Sequence, residues 1–174
     1  MSQSQFKAKP RSKRDLREFA FGLRSALEME DVPQIDIIRI LEHDLLGAFG
    51  ESLELEIVET CEMEEYALYR FDLNKIIIRE DVYLAAANMN PRHRFTIAHE
   101  IGHLFLHKNV KQLARSDVKR KIYEDPEWQA DVFAAEFLAP SHLLGNLSPS
   151  EIASTFGISR QAALKRFNDV QNNK

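Results

Sequence analysis

Arg94-Phe95-Thr96-Ile97-Ala98-His99-Glu100-Ile101-Gly102-His103-Leu104-Phe105-Leu106-His107 is the stretch on which the architecture of this chain turns. Asn90 and Pro91 read as a helix N-cap followed by proline at the first helical position. Phe95, Ala98, Ile101, Leu104 and Phe105 recur with helical period, so one face of the predicted helix is held in the core. His99 and His103 stand four apart, one turn of helix, and point the same way. Glu100 is rotated by about 100° from His99, near enough to touch a water held by an ion shared between the imidazoles. Two neutral nitrogen ligands, a carboxylate base and an open position are what metal-assisted hydrolysis requires. Gly102 inside this helix costs about 1 kcal/mol relative to alanine. That cost makes sense if another backbone approaches closely there.

Two histidines do not complete a metal site. The best candidate for a third ligand lies in Asp125-Pro126-Glu127-Trp128-Gln129-Ala130-Asp131-Val132-Phe133-Ala134-Ala135-Glu136-Phe137-Leu138, which repeats the cap-then-proline start. Glu127, Ala130, Asp131, Ala134 and Leu138 share a face, and the alanines let this helix approach the first beside Gly102. Glu127 then reaches the metal. Asp131, one turn on, accepts from the far nitrogen of a ligating histidine and fixes its tautomer. His107, Glu124 and His142 are rival ligands; His107 lies near the helix end, where a cap or a supporting role fits it better.

The quoted stretch, followed by Glu127-x-x-Ala130-Asp131-x-Phe133-Ala134-Ala135-Glu136-Phe137-Leu138-Ala139-Pro140, resembles the ImmA/IrrE family of metallopeptidases. The string R-F-T-x-A-H-E-x-G-H-x-x-L-H is far more specific than a bare H-E-x-x-H. The resemblance implies zinc ligands at His99, His103 and Glu127, a catalytic glutamate at Glu100 and a supporting acceptor at Asp131. Asp131 stands where the family commonly has Asn, and Ala139 where it commonly has Met. The first change keeps an acceptor and the second touches packing. The resemblance also implies a substrate: a partner repressor with a helix-turn-helix, cleaved to relieve repression.

The chain has 174 residues, 44% of them hydrophobic, enough for one real core. Net charge is −4 and the pI about 5.9, against a protein that coats nucleic acid non-specifically. No apolar run approaches the roughly 20 residues of a membrane span. The polar, basic start lacks a signal core, and the single cysteine, Cys61, excludes an internal disulfide framework. These features point to the cytoplasm.

Residues 1–12 read as a flexible basic tail, 13–140 as a zincin-like metallopeptidase domain, and 141–174 as a C-terminal helical segment like a helix-turn-helix. Within the domain, helices are expected over Lys13 to Met29 and Gln34 to Ala48. Strands are expected over Leu53 to Thr60, Tyr66 to Phe71 and Lys75 to Arg79, with Ile76-Ile77-Ile78 suited to the central position. Another helix or turn covers Glu80 to Asn88. The expected fold is α+β: a small three-stranded sheet packed beside the active-site helix, its edge free to hold an extended peptide.

Several signals lie outside that centre. Lys108 to Lys121 carries six basic residues, read either as a solvated segment or as a rim that recruits an acidic protein patch. Ser148-Pro149-Ser150-Glu151 fits a capping box, Gly157 a stop and Ser159 a second cap. In a DNA-binding reading, Arg160, Gln161, Lys165 and Arg166 face the duplex, although docking or packing is the commoner use of such a hairpin. Tyr123 and His142 are candidate oxyanion donors. Rival functions are a regulator or toxin–antitoxin partner that binds DNA or a repressor without turnover, and a deformylase-like zinc hydrolase using Cys61.

Overall fold

The computed structural model describes residues 8–49, 52–107 and 121–171. It is a mixed α+β structure of one small sheet and several helices. Ser12 and Asp15 form a reciprocal capping box that starts α1 (Lys13–Ala26), which buries Leu16 and Ala20. Asp36 caps the next helical segment by accepting from the Ile38 and Arg39 amides. That segment runs as α2 (Ile37–Arg39), a π-helical stretch (Ile40–Leu45) and α3 (Leu46–Phe49).

The strands are β1 (Glu54–Val58), β2 (Ala67–Arg70) and β3 (Lys75–Arg79), in the order β1-β3-β2. β3 pairs in parallel with β1 and antiparallel with β2. Ile76 and Ile78 are fully buried, as the central placement of that strand requires. Ala67 and Tyr69, opposite Ile78 and Ile76, extend the same buried face across β2. β1 is covered unevenly. Leu53 is buried and Leu55 packs on the core, but Ile57, on an edge strand, is 41% exposed.

α4 (Glu80–Ala87) leads to α5 (Pro91–His107), which carries the two motif histidines. Asn90 caps α5 by accepting from the Arg92 and His93 amides. α6 (Pro126–Leu138), capped by Asp125, lies against α5 and α1. Phe133 is the wedge between them: it stacks on Phe137 with ring centroids 5.4 Å apart and meets Phe19 of α1 edge-on at 6.2 Å.

Gly102 sits where the two helices approach. A Cβ there would lie 3.0 Å from the Phe133 ring and 3.3 Å from the Ala130 Cα. Neither neighbour gives way easily, since one is main chain and the other is a ring held between Phe137 and Phe19. Overpacking of about 1–3 kcal/mol therefore outweighs the gain of about 1 kcal/mol in helix propensity. Gly102→Ala should lower stability by about 1 kcal/mol in urea denaturation, where an ordinary helical glycine would gain.

After the short α6–α7 junction come α7 (Ser141–Leu144), α8 (Pro149–Phe156) and α9 (Arg160–Gln171). The Ser148–Glu151 capping box starts α8, and Gly157, with φ 61°, ends it in the left-handed region. Ser159 accepts from the Ala162 amide at the start of α9. Ile152, Phe156, Ile158 and Ala163 belong to the same buried cluster as the α5 and α6 core. Arg94 of α5 reaches across to donate to the Phe156, Gly157 and Ile35 carbonyls, tying the hairpin to the motif helix.

Two expectations need correction. Residues 8–12 are not a loose tail. Ala8 is buried and donates to the Glu124 carbonyl, and Arg11 donates to the Tyr123 carbonyl, both in the 3-10 turn Ile122–Glu124. Arg166 does not face solvent either. It is 4% exposed, binds Glu136 and the Ala139 carbonyl, and cannot contact a duplex. Periodicity missed this because a buried arginine needs a partner that only the fold supplies. Arg160, Gln161 and Lys165 are exposed. Nearly all of the basic insert, residues 108–120, lies outside the described residues, as do residues 1–7. No helix among the described residues is long and apolar enough to cross a membrane.

Candidate metal centre

One turn apart on α5, His99 and His103 bring their Nε2 atoms to 2.9 Å. Glu127, in the first turn of α6, lays one carboxylate oxygen 3.3 Å from His99 Nε2 and the other 3.6 Å from His103 Nε2. Among the described residues these three form the group of His, Cys, Asp and Glu side chains able to share an ion. The three separations, 2.9, 3.3 and 3.6 Å, bracket the value of about 3.3 Å expected between ligand atoms about 2.0–2.1 Å from a zinc ion. Two imidazoles and one carboxylate suit zinc chemically. The histidine side chains are 17% exposed and that of Glu127 is 44%, so the cluster is sunk on the protein side and open on the other.

The electrostatics favour a positive charge in the middle. Burial works against protonating His99, but hydrogen bonds to Asp131 and Glu127 outweigh it and push the ring up to about 10. Burial alone would raise Glu127; hydrogen bonds from His103 and His99 instead hold it well below the usual carboxylate range.

Each ring nitrogen that faces away from the cluster has a partner. His99 Nδ1 lies 2.9 Å from Asp131 Oδ1. His103 Nδ1 lies 3.0 Å from His107 Nδ1, and His107 Nε2 lies 3.1 Å from Gln129 Oε1. Burial, with His103 alongside, pushes His107 down to about 4.

Glu100 is buried beside the cluster and is not one of its donors. It is 8% exposed, and its Oε2 accepts the Tyr69 amide of edge strand β2 at 2.8 Å. Burial raises this carboxyl above its ordinary range, while His103 and His99 pull it back. Such a group takes and returns a proton more readily near neutral pH than an exposed glutamate.

The structure thus brings His99, His103, Glu127, Asp131 and Glu100 together, with His107 as a neighbour of His103. The other candidates lie elsewhere. Glu124 accepts the Lys121 amide through its carboxylate and the Ala8 amide through its carbonyl. His142 is bonded to the Glu30 carbonyl and packed edge-on against Phe21 of α1. The Tyr123 ring lies under the Lys121 ammonium. Cys61 is exposed beside Glu59 and is not among the donors, which removes the basis for a cysteine-ligated site. Gln129 and the Tyr69 amide escaped the sequence reading. Gln129, two residues after Glu127, has no motif signature, and a main-chain amide has none by nature.

The chain is similar in sequence to known proteins. Metallopeptidase ImmA of Bacillus subtilis (strain 168) is 30% identical over 100 residues, 53% of this chain. That alignment covers 59% of the relative's own length. The IrrE N-terminal-like domain of the M78 peptidases matches residues 51–168, a span that takes in all three donors, Asp131 and Glu100. By that match over more than half its length, the chain belongs to the M78 peptidase family, the ImmA/IrrE metallopeptidases.

Proposed function

We propose that the chain is a zinc-dependent endopeptidase that cleaves one partner protein, a helix-turn-helix transcriptional repressor, and so relieves repression in the cytoplasm. The observation that carries the catalytic part is the three-donor cluster, its separations bracketing that of zinc ligands, with a buried glutamate next to one of its histidines. The three-stranded sheet beside the motif helix supports a zincin-like reading of the fold. The repressor as substrate is supported by the family resemblance.

In this reading His99, His103 and Glu127 hold the ion, and Asp131 orients His99 through its Nδ1. A zinc ion bound there supplies Lewis acidity toward a water and a peptide carbonyl. Glu100 takes the proton from the attacking water and returns it to the leaving amine. The Tyr69 amide steadies Glu100 through Oε2, leaving Oε1 for that proton. β2 is an edge strand, and its outer side offers main-chain groups to an extended peptide.

The test is incubation of the zinc-loaded chain with helix-turn-helix repressors encoded beside it, followed by intact-mass spectrometry. One discrete cut, lost with a chelator and restored by zinc, is expected. A repressor that binds but stays full length would replace proteolysis with regulation by association.

A further inference from the structure

We infer that Arg92 is a specificity residue for the proposed reaction: it receives a carboxylate side chain, Asp or Glu, about three residues beyond the scissile bond on its C-terminal side. This role rests on the endopeptidase reading above and adds a feature of the substrate to it.

The free edge of β2 supplies the ruler. The Tyr66 carbonyl accepts the Arg79 amide, so Tyr66 and Leu68 turn their main-chain groups toward β3. Ala67 and Tyr69 therefore turn theirs to the open side, where Glu100 already takes the Tyr69 amide. β2 and α5 run side by side in the same direction: Tyr66 meets Arg92 and His93, and Tyr69 meets Glu100. From the first meeting to the second, the strand advances three residues and the helix seven or eight, each a span of about 10–12 Å. A peptide extended along that edge, with its scissile bond at Glu100, reaches Arg92 about three residues away. The antiparallel course is the more stable pairing, and it carries the C-terminal side of the cut toward Tyr66.

Arg92 is exposed, and its guanidinium lies 4.9 Å from the Tyr66 ring centroid. Its Nη2 donates to the Tyr66 hydroxyl at 3.3 Å. The ring steadies the guanidinium fork while its other N–H groups face outward contacts. Arg79 lies over the same ring at 5.0 Å, but Asp81 meets its charge in a two-point pair, at 2.9 and 2.7 Å. Among the described residues no carboxylate pairs with Arg92, although Glu64 and Glu65 directly precede Tyr66.

Helix polarity points the same way. Arg92 stands in the first turn of α5, where the dipole favours an anion and a cation has the disfavoured sign. No acidic side chain of the helix occupies that turn. Dipole and guanidinium together draw a carboxylate from outside the chain, and a planar carboxylate matches the arginine fork.

The experiment uses the full zinc-loaded chain and the repressor cut in the assay above. The cut site should carry Asp or Glu about two to four residues after the severed bond. Replacing that acid by Lys should lower kcat/KM about 10- to 100-fold, the scale of a hydrogen-bonded contact between charges. Arg92→Glu should slow cleavage of the unaltered repressor to the same degree, with zinc content unchanged and the urea midpoint unchanged or raised. Combining the two changes should recover the rate to about tenfold above either alone, because the charges are exchanged and still opposite.

A cut site with no acid in that window would overturn the assignment. So would an Arg92→Glu chain that keeps the wild-type preference, or a charge exchange without recovery. A zinc-loaded chain that cuts no repressor would instead overturn the endopeptidase reading, and Arg92 would lose its role with it.

Discussion

Glu100→Gln should leave zinc content unchanged and reduce peptide-bond hydrolysis by about 10²- to 10⁴-fold, the usual worth of a general acid–base group. The substitution is close to isosteric, and the glutamine oxygen can still accept the Tyr69 amide that now binds Glu100 Oε2. Helix packing and the three donors are untouched, because Glu100 is not one of them. What disappears is a carboxylate able to take a proton from water and hand it to the leaving amine. Metal analysis and the rate of partner cleavage, measured on one preparation, separate the two effects. Full zinc content with near wild-type turnover would remove Glu100 from the mechanism. Loss of zinc would move it into the binding of the ion.

Arg166→Met should destabilise the fold by about 3–5 kcal/mol, the cost of breaking a buried ion pair from one side. The guanidinium of Arg166 donates to the Ala139 carbonyl through Nε and Nη2, at 3.0 and 2.8 Å. Its Nη1 and Nη2 reach the two oxygens of Glu136, each at 2.9 Å. Both side chains are 4% exposed. Removing the arginine leaves the Glu136 carboxylate with Arg17, at the rim, and Ser141. The end of α6 would also lose the donor to its capping carbonyl. Exposed Arg160 and Lys165, expected beside Arg166 on a DNA-reading face, should change stability by no more than about 0.5 kcal/mol when replaced by alanine. Urea denaturation of the three variants distinguishes the roles. Equal, small effects would return Arg166 to the surface.

Much of the centre is legible in the sequence, because its signals are local. Four-residue spacing is enough to put His99 and His103 on one side of a helix, whatever packs against it. Asp125-Pro126 announces a helix start and puts Glu127 in its first turn. Gly102 announced a close neighbour, and Ala130 is that neighbour. The consecutive isoleucines of β3 marked a strand covered on both edges.

Other features were silent for a common reason. Ile57 has the right alternation, yet cover depends on what lies beneath an edge strand. The π-helical turn of Ile40–Leu45 shares its composition with an ordinary helix. Arg166 looked like a surface cation because a sequence does not display the partner that makes its burial affordable.

By itself, then, the sequence determined the periodic and capped elements, and with them the two imidazoles and the neighbouring glutamate. These depend on interactions spanning a few residues, which backbone geometry makes unavoidable. Tertiary structure alone decided that the Glu127 carboxylate lies within 3.3 and 3.6 Å of the two imidazoles, that the Tyr69 amide donates to Glu100, and that Lys9 anchors Gln129 across the fold. Those contacts join segments far apart along the chain. Their geometry is set by how Phe133, Gly102 and Ala130 let two helices meet, and no local pattern encodes that distance.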